Sequence, residues 1–396
     1  MRYSLLNFIE CPASKTELSC LATKEVPIAL PHFRLSDCRR VNQPGQVVGP
    51  VPPFQRETAL TDALRRLSSQ PAPPSRNLEV EVEEGILVSG ETSRWYPIRN
   101  FIPEILPDHL RDLRRDVEFL HSLRPLLPAS IFQLLDGEQA FTNRLAADSG
   151  RHYKQAEMGI AEKVDDPQFW GPGYLSPFNP GNTEHTAHLI RLFAVCLTLI
   201  EPHKHRPVLD TGSGYSWTTE WLLKCGFEPI GVDITRIYME VGMHRMGVAR
   251  PYLVVADTEN LPIRSGAVDV VLGFDSFHHI PDRCRAMREF SRVLAAGGEV
   301  VLGEPGGAHE NDPGAKAVMD KYGILERGMD LEDVRRYIAG TTFEPPRQNF
   351  ICRLSGEDFG SAIMPDLEQR SWTSANVFSI RAPSARSGAN VNISSR

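Results

Sequence analysis

Acidic side chains follow directly on several short apolar runs of this chain, the arrangement expected where carboxylates from different strands converge on one ligand. Val208-Leu209-Asp210-Thr211-Gly212-Ser213-Gly214 passes from an apolar run into a glycine turn. Glycine at 212 and 214 lets the backbone turn tightly and approach a ligand closely. Gly231-Val232-Asp233-Ile234 ends a second run on a carboxylate, which can accept hydrogen bonds from both hydroxyls of an adenosine ribose. Ala256-Asp257-Thr258-Glu259-Asn260-Leu261-Pro262 follows a third, and Asp257 suits an adenine amine. Taken singly, these aspartates are equally well helix caps or turn residues. Their shared order and spacing point instead to one nucleoside site. The dinucleotide fingerprint requires a further glycine where Trp217 stands, which disfavours nicotinamide and flavin. After the fourth and fifth runs stand Asp275, His278, His279 and Glu304, groups able to bind or deprotonate a second molecule.

These residues need strands to aim them. Pro207–Asp210, Pro229–Val232, Tyr252–Val255, Val268–Phe274 and Glu299–Gly303 read as strands. Trp217–Cys225, Arg236–Met246 and Arg283–Leu294 read as the intervening helices. Such alternation implies crossover units: an α/β, doubly wound, Rossmann-like and mostly parallel sheet, here of seven strands, beside a small N-terminal α+β module. Ligands bind at the carboxyl ends of such strands, where the acids lie. Leu331–Ala339 reads as a helix, and Asn349–Arg353 and Val377–Arg381 as strands.

Upstream, Glu79–Val88 alternates apolar and acidic residues like a half-buried strand. Pro-rich stretches at Gln43–Pro53 and Gln70–Arg76 flank a helical pattern at Glu57–Leu67, which suggests an insertion over about residues 43–76. The expected organisation is a module over 1–106, a helical linker and lid over 107–183, the α/β domain over 184–382 and a disordered tail over 383–396.

A net charge of −7 argues against a general grip on nucleic acid. Arg111, Arg114 and Arg115 read as a solvated helix face. The most apolar stretch, Leu189–Ile200, is too short to span a bilayer and contains Arg191. The N-terminus lacks a signal-peptide pattern, and the seven cysteines are odd in number and scattered. A reducing cytoplasm is therefore expected. Oligomeric state is open, a homo-oligomer included.

Val208–Gly214, Gly231–Asp233, Ala256–Pro262 and Val268–Pro305 resemble the successive motifs of class I S-adenosylmethionine-dependent methyltransferases. The likeness is closest to the branch of the ubiquinone and menaquinone methyltransferases, through His278-His279-Ile280-Pro281-Asp282 and Glu289-Phe290-Ser291-Arg292-Val293-Leu294. The resemblance implies S-adenosylmethionine as cofactor. Asp210 and the backbone at Gly212 and Gly214 would hold its methionine end, Asp233 its ribose, Asp257 and Thr258 its adenine, with Ser213, Ile234 and Phe274 also in contact. The family often has Gly where Ser216 stands. Asp275, His278, His279 and Glu304 become candidates for positioning or deprotonating the acceptor, the histidines being equally well loop-packing residues. A segment before the domain often closes over the cofactor, which makes Tyr153, Trp170, Tyr174 and His185 candidates for the substrate pocket. Aromatic packing between domains would explain them equally well.

Two further stretches, Leu5–Lys15 and Trp95–Pro103, resemble the zinc-ribbon-like activators of tRNA, ribosomal and release-factor methyltransferases. Ser14 stands where that family has a second Cys. Cys11, Cys20 and Cys38 lack paired ligand spacing, so no metal is expected. Phe274-Asp275-Ser276-Phe277 departs from the Asn/Asp-Pro-Pro-Tyr pattern that clamps planar amines. The expected function is methyl transfer to a small molecule or glycan, at oxygen. RNA or translation-protein methylation, with the module as in-cis activator, and a non-catalytic cofactor-binding scaffold are the alternatives.

Overall fold

The computed structural model describes residues 1–27, 47–48, 80–136, 150–160, 175–246, 252–349 and 376–384. The helix expected at Glu57–Leu67, most of the Pro-rich insertion, Trp170, Tyr174 and the tail beyond 384 lie outside the described residues.

The first sheet holds β1 (Ser19–Pro27), β2 (Val47–Val48), β3 (Val80–Val88), β4 (Trp95–Arg99) and β5 (Ile102–Pro103), in the order β2-β1-β3-β4-β5 with antiparallel neighbours. Successive side chains on a strand face opposite ways. Cys20, Ala22, Leu87, Tyr96 and Ile98 accordingly enter the main core, whereas Leu21, Ile86, Val88 and Trp95 face the other side. That second face is covered by α1 (Leu113–Ser122) and α2 (Ala129–Leu135) through Leu120, Leu123, Ile131, Phe132 and Leu135. The segment expected as linker thus begins as the module's own outer layer. Asp112 caps α1 by accepting from Arg115 N.

The second sheet has seven strands. They are β6 (Pro207–Thr211), β7 (Glu228–Asp233), β8 (Tyr252–Val255), β9 (Val268–Phe274), β10 (Leu294–Glu304), β11 (Arg347–Asn349) and β12 (Asn376–Arg381), in the order β11-β12-β10-β9-β6-β7-β8. The run from β10 to β8 is parallel, and β12 is antiparallel to β10. Helices α4 (Thr183–Ile200), α5 (Trp217–Lys224), α6 (Arg236–Met246) and α7 (Arg283–Val293) accompany it, with α8 (Pro313–Tyr322) and α9 (Leu331–Tyr337) beyond; α3 (Arg151–Gly159) precedes them. Strand order reverses between β6 and β9, and the crevice at such a point is where open α/β sheets hold ligands. No described helix is long and apolar enough to cross a membrane.

The two sheets share one core. Tyr3, Ile9, Leu18, Tyr96 and Ile98 pack with Val254, Ile263, Phe290 and Val293. Ile105 N donates to Val255 O at the edge of the second sheet. Glu10 N donates to Pro262 O, and Arg264 N to Phe8 O. Arg292 donates to the Glu10 carboxylate and to the carbonyls of Leu261 and Ile263. The module therefore grips the loop that begins with Asp257. Ser14, at the position of the expected missing cysteine, pairs with Thr16 Oγ1 (2.7 Å), and Cys11 Sγ lies 3.2 Å from Tyr96 Oη.

Candidate active site

A cavity of about 350 Å³ opens at the carboxyl ends of β6, β7, β8 and β9. Gly212, Gly214, Asp233, Ile234, Asp257 and Thr258 line one end of it. Gly212 sits at φ +63°, and a Cβ there would fall 2.4 Å from Ser276 Cβ, so a side chain fails on backbone and space alike. A Cβ on Gly214 would meet only open space, so its backbone faces the cavity bare. Gly214 N donates to Asp233 Oδ2 (2.9 Å) and Thr235 N to Oδ1 (2.7 Å). This fixes the carboxylate while leaving each oxygen a further lone pair. Burial pushes the Asp233 pKa up to about 6. Asp257 caps a short turn by accepting from Glu259 N (3.0 Å). The carboxylates of 233 and 257 face one hollow.

Three expected contacts fall elsewhere. Asp210 does not line the cavity: its Oδ2 accepts from the hydroxyls of Thr218 (2.7 Å) and Thr219 (2.5 Å), pinning the start of α5 beneath the glycine turn. Ser213 is buried, with N donating to Val232 O. Phe274 points to the opposite face of β9, edge-on to Phe193 and Trp217, because the strand alternates and the cavity lies on the side of Asp275. Ser216 adopts φ +59° fully buried, which explains why glycine suits that position.

At the other end Asp275, Ser276, His279, Ile280, Ile324 and Glu326 line the wall. Glu304, expected as a catalytic candidate, is sealed from solvent and lies behind that wall. It accepts from the N–H groups of Ser276 and Phe277 and from His278 Nδ1 (2.7 Å), which shapes the loop after β9. His278 is likewise buried, with Nε2 3.3 Å from Glu326 Oε2. Burial opposes its charge, but Glu304 and Glu326 outweigh that and raise its pKa to about 10. An imidazolium so held cannot serve as a base at neutral pH. His279 does reach the cavity. Burial and the neighbouring His278 hold its pKa down at about 3, and its Nδ1 sits 2.5 Å from Leu325 O. With Nδ1 donating there, Nε2 carries the free lone pair.

Among the substrate candidates, Tyr153 stacks on His152 (ring centroids 3.8 Å apart) and does not line the cavity. His185 is exposed at the start of α4. Trp170 and Tyr174 lie outside the described residues.

The cover that the structure does describe comes from α3, inside the segment expected as linker and lid, but through residues other than the expected Tyr153. Lys154, Glu157 and Ile160 line the cavity. Lys154 is buried, with Nζ donating to Asp257 Oδ2 (3.0 Å) and Glu259 Oε2 (2.6 Å). Glu157 O accepts from Thr235 Oγ1 (3.1 Å), and burial beside Asp233 pushes the Glu157 carboxyl pKa up to about 8. Val318 and Tyr322 of α8 close the remaining side.

Residues 209–302 match the family model of a methyltransferase domain, and residues 2–100 that of Trm112p-like proteins. Methyltransferase GfsG of Streptomyces halstedii is 27% identical over 213 residues, which cover 52% of this chain and 74% of that protein. The 27-O-demethylrifamycin SV methyltransferase of Amycolatopsis mediterranei is 43% identical over 130 residues, 26% of this chain and 48% of that protein. The chain thus spans about three quarters of the first relative and about half of the second. Among solved structures, a complex of the Haloferax volcanii Trm112 methyltransferase activator with a methyltransferase overlays 55% of this chain on 98% of the matched one, at 14% identity and a TM-score of 0.42.

Proposed function

We infer that this chain, in which a Trm112p-like module is fused to a class I S-adenosylmethionine-dependent methyltransferase domain, methylates a small-molecule or glycan acceptor at oxygen. The observation that carries this is the single hollow faced by Asp233 and Asp257, with a second polar wall opposite them.

The lining suits the cofactor. Its carboxylates outnumber its one lysine, which favours a ligand carrying a sulfonium and an ammonium against one carboxylate. Asp233 would take the ribose hydroxyls, the loop at Asp257 and Thr258 the adenine, and the backbone at Gly212 and Gly214 the methionine portion. Bound there, the cofactor supplies an activated methyl whose leaving group is a neutral thioether. The protein's tasks are then alignment and exclusion of water. Helix α3 and Tyr322 shut the hollow on two sides. Asp275, at the end of β9 and lining the cavity, is placed to take the acceptor's hydroxyl proton as the O–C bond forms.

The acceptor wall offers Asp275, Glu326 and the His279 lone pair, all hydrogen-bond acceptors, as a hydroxyl requires. Asp275-Ser276-Phe277 lacks the paired prolines that sandwich a planar amine. A second reading, methylation of RNA or a translation protein, is favoured by the Trm112p-like match alone.

The test supplies methyl-labelled S-adenosylmethionine and purified chain to a cell extract, then separates small molecules, RNA and protein. Alkali-stable label in the small-molecule fraction supports the proposal. Label confined to RNA or protein moves the function to the second reading. Label nowhere with S-adenosylhomocysteine still bound in calorimetry leaves the cofactor-binding scaffold, and label nowhere with no binding removes all three readings.

A further inference from the structure

We propose that His278, His279 and Glu326 form a binding site for a divalent first-row transition metal at the acceptor end of the cavity. This goes beyond the methyl-transfer reading and does not require it. One ligand atom from each of the three residues lies within 4.8 Å of the other two. His278 Nε2 and Glu326 Oε2 are 3.3 Å apart. Two ligands each about 2.1 Å from a tetrahedral ion stand about 3.4 Å apart, so this edge is already near the bound spacing.

The surroundings follow the pattern of metal-binding histidines, which donate the remote ring N–H to a carboxylate or a carbonyl. His278 Nδ1 is 2.7 Å from Glu304 Oε2, and His279 Nδ1 is 2.5 Å from Leu325 O. Both rings are thereby set with Nε2 as the atom left for an ion: a lone pair on His279, and on His278 a proton that the ion would displace. Glu304 is itself fixed by the N–H groups of Ser276 and Phe277. Glu326 is steadied by His309 Nε2 at 3.0 Å. The support comes from β10, the loop after β9 and the segment after α8, which are tied together by Ser276 N and Phe277 N donating to Glu304 and by Arg327 N donating to His278 O.

An independent sign that a cation belongs here is Glu157. Its Oε1 is shut off from solvent without a hydrogen-bond partner, lines the same cavity and lies 3.3 Å from His279 Nδ1. Asp275 adds another carboxylate to this wall, open to solvent. The His278 imidazolium now balances Glu304 and Glu326, and an ion at its Nε2 would take over that balance as the proton leaves. Two imidazoles and one carboxylate select zinc, manganese or ferrous iron over magnesium and calcium, which prefer all-oxygen shells. His279 and Glu326 face the hollow, so the ion's open positions would point at the acceptor. There it would hold an acceptor oxygen and make its hydroxyl more acidic, with Asp275 still receiving the proton.

The experiment uses the full chain, stripped with a chelator and then titrated separately with Zn²⁺ and Mn²⁺ by calorimetry, with elemental analysis after dialysis. The expected result is one ion per chain. Glu326→Gln should weaken uptake by about 100-fold or more, since loss of a mere supporting group costs about 10- to 100-fold. His279→Asn should act likewise, and it guards against a folding failure in the first variant. Melting curves report the fold of each. No uptake by folded wild-type protein overturns the proposal and leaves a proton-bridged network of histidine and carboxylates. Uptake unchanged in both folded variants overturns it by moving the ion elsewhere. Absence of S-adenosylhomocysteine binding would strike only the methyl-transfer reading, because the metal measurement needs no cofactor.

Discussion

Replacing Asp233 by asparagine should push cofactor binding and fold stability in different directions. At neutral pH the carboxylate is ionised although burial has raised its pKa from 3.8 to about 6. Each pKa unit is about 1.4 kcal/mol, so holding this charge in the empty site costs about 3 kcal/mol. The sign follows from a folded value above the unfolded one: this contribution to stability is full below about pH 4 and is lost as the pH rises through 6. Asparagine removes the charge. It must also turn its amide NH2 toward either Gly214 N or Thr235 N, which now donate to Oδ2 and Oδ1. One donor facing another leaves a group unsatisfied, at about 1–3 kcal/mol. The net change in stability is therefore about 0 to 2 kcal/mol in favour of the variant. Binding changes the other way. On the proposed reading two ribose hydroxyls would donate to the carboxylate, and a hydrogen bond to a charged group contributes about 1.5–3 kcal/mol. With one acceptor lost and the other uncharged, affinity for S-adenosylhomocysteine should fall by about 2–3 kcal/mol, or about 30- to 150-fold. Calorimetry gives the affinity and urea unfolding the stability. An affinity within about threefold of wild type, about 0.6 kcal/mol, would refute a ribose at Asp233. A stability loss well beyond 2 kcal/mol would refute the charge-burial account.

Three further outcomes follow from the same geometry. The affinity for S-adenosylhomocysteine should fall below about pH 6, nearing tenfold per pH unit as Asp233 takes up its proton, apart from any change near pH 8 where Glu157 titrates; calorimetry at constant ionic strength would show no break near pH 6 if the ribose site were elsewhere. Lys154→Met leaves Asp257 and Glu259 as buried, uncompensated neighbours, so urea unfolding should register a loss of about 3–5 kcal/mol; no loss would mean the two carboxylates are already hydrated. Gly212→Ala forces both a positive φ and a 2.4 Å approach to Ser276 Cβ; it should cost at least about 1–3 kcal/mol in the urea midpoint and abolish cofactor binding, whereas normal binding would place the glycine turn outside the cofactor site.

Much of the second sheet was legible because its strands are buried on both faces and read as unbroken apolar runs. Val268–Phe274 and Tyr252–Val255 coincide with the expected strands, and Arg236–Met246 with the expected helix. Acids at the strand ends were equally plain, but not which way each one points. Asp210 differs from Asp233 in having Thr218 and Thr219 above it, two hydroxyls that absorb its hydrogen bonds. Phe274 was assigned to the wrong face by one position of strand alternation. Helix α8 carried its signals, Asp312-Pro313 at the start and Gly323 at φ +75° past the end, yet it was not among the expected elements. Lys154 and Glu157 had no local signature. Their meaning depends on Asp257 and Asp233, 103 residues away in the case of the Lys154–Asp257 bond, and only tertiary packing brings them together. Ser14 and Cys11 were read from resemblance, and the hydrogen bonds that occupy them have no sequence pattern.

The module and the cofactor site are mechanically one object. The loop from Asp257 to Arg264 is the only described backbone between β8 and β9 that both lines the cavity and touches the module. Its far end is held by Glu10 N on Pro262 O and by Phe8 O on Arg264 N, while Arg292 ties Leu261 O and Ile263 O to the Glu10 carboxylate. Its near end is held by Lys154 of α3. The loop is therefore held jointly by the α/β domain, through Arg292 and through Asp282 N on Glu259, and by the module and α3: loosening either of the latter should spread it over more states, and a ligand bound there would then bear the ordering cost, about 1–2 kcal/mol for each residue fixed again. On the proposed reading, a module fused in this position would act on affinity without touching the ligand, through the entropy of a single loop.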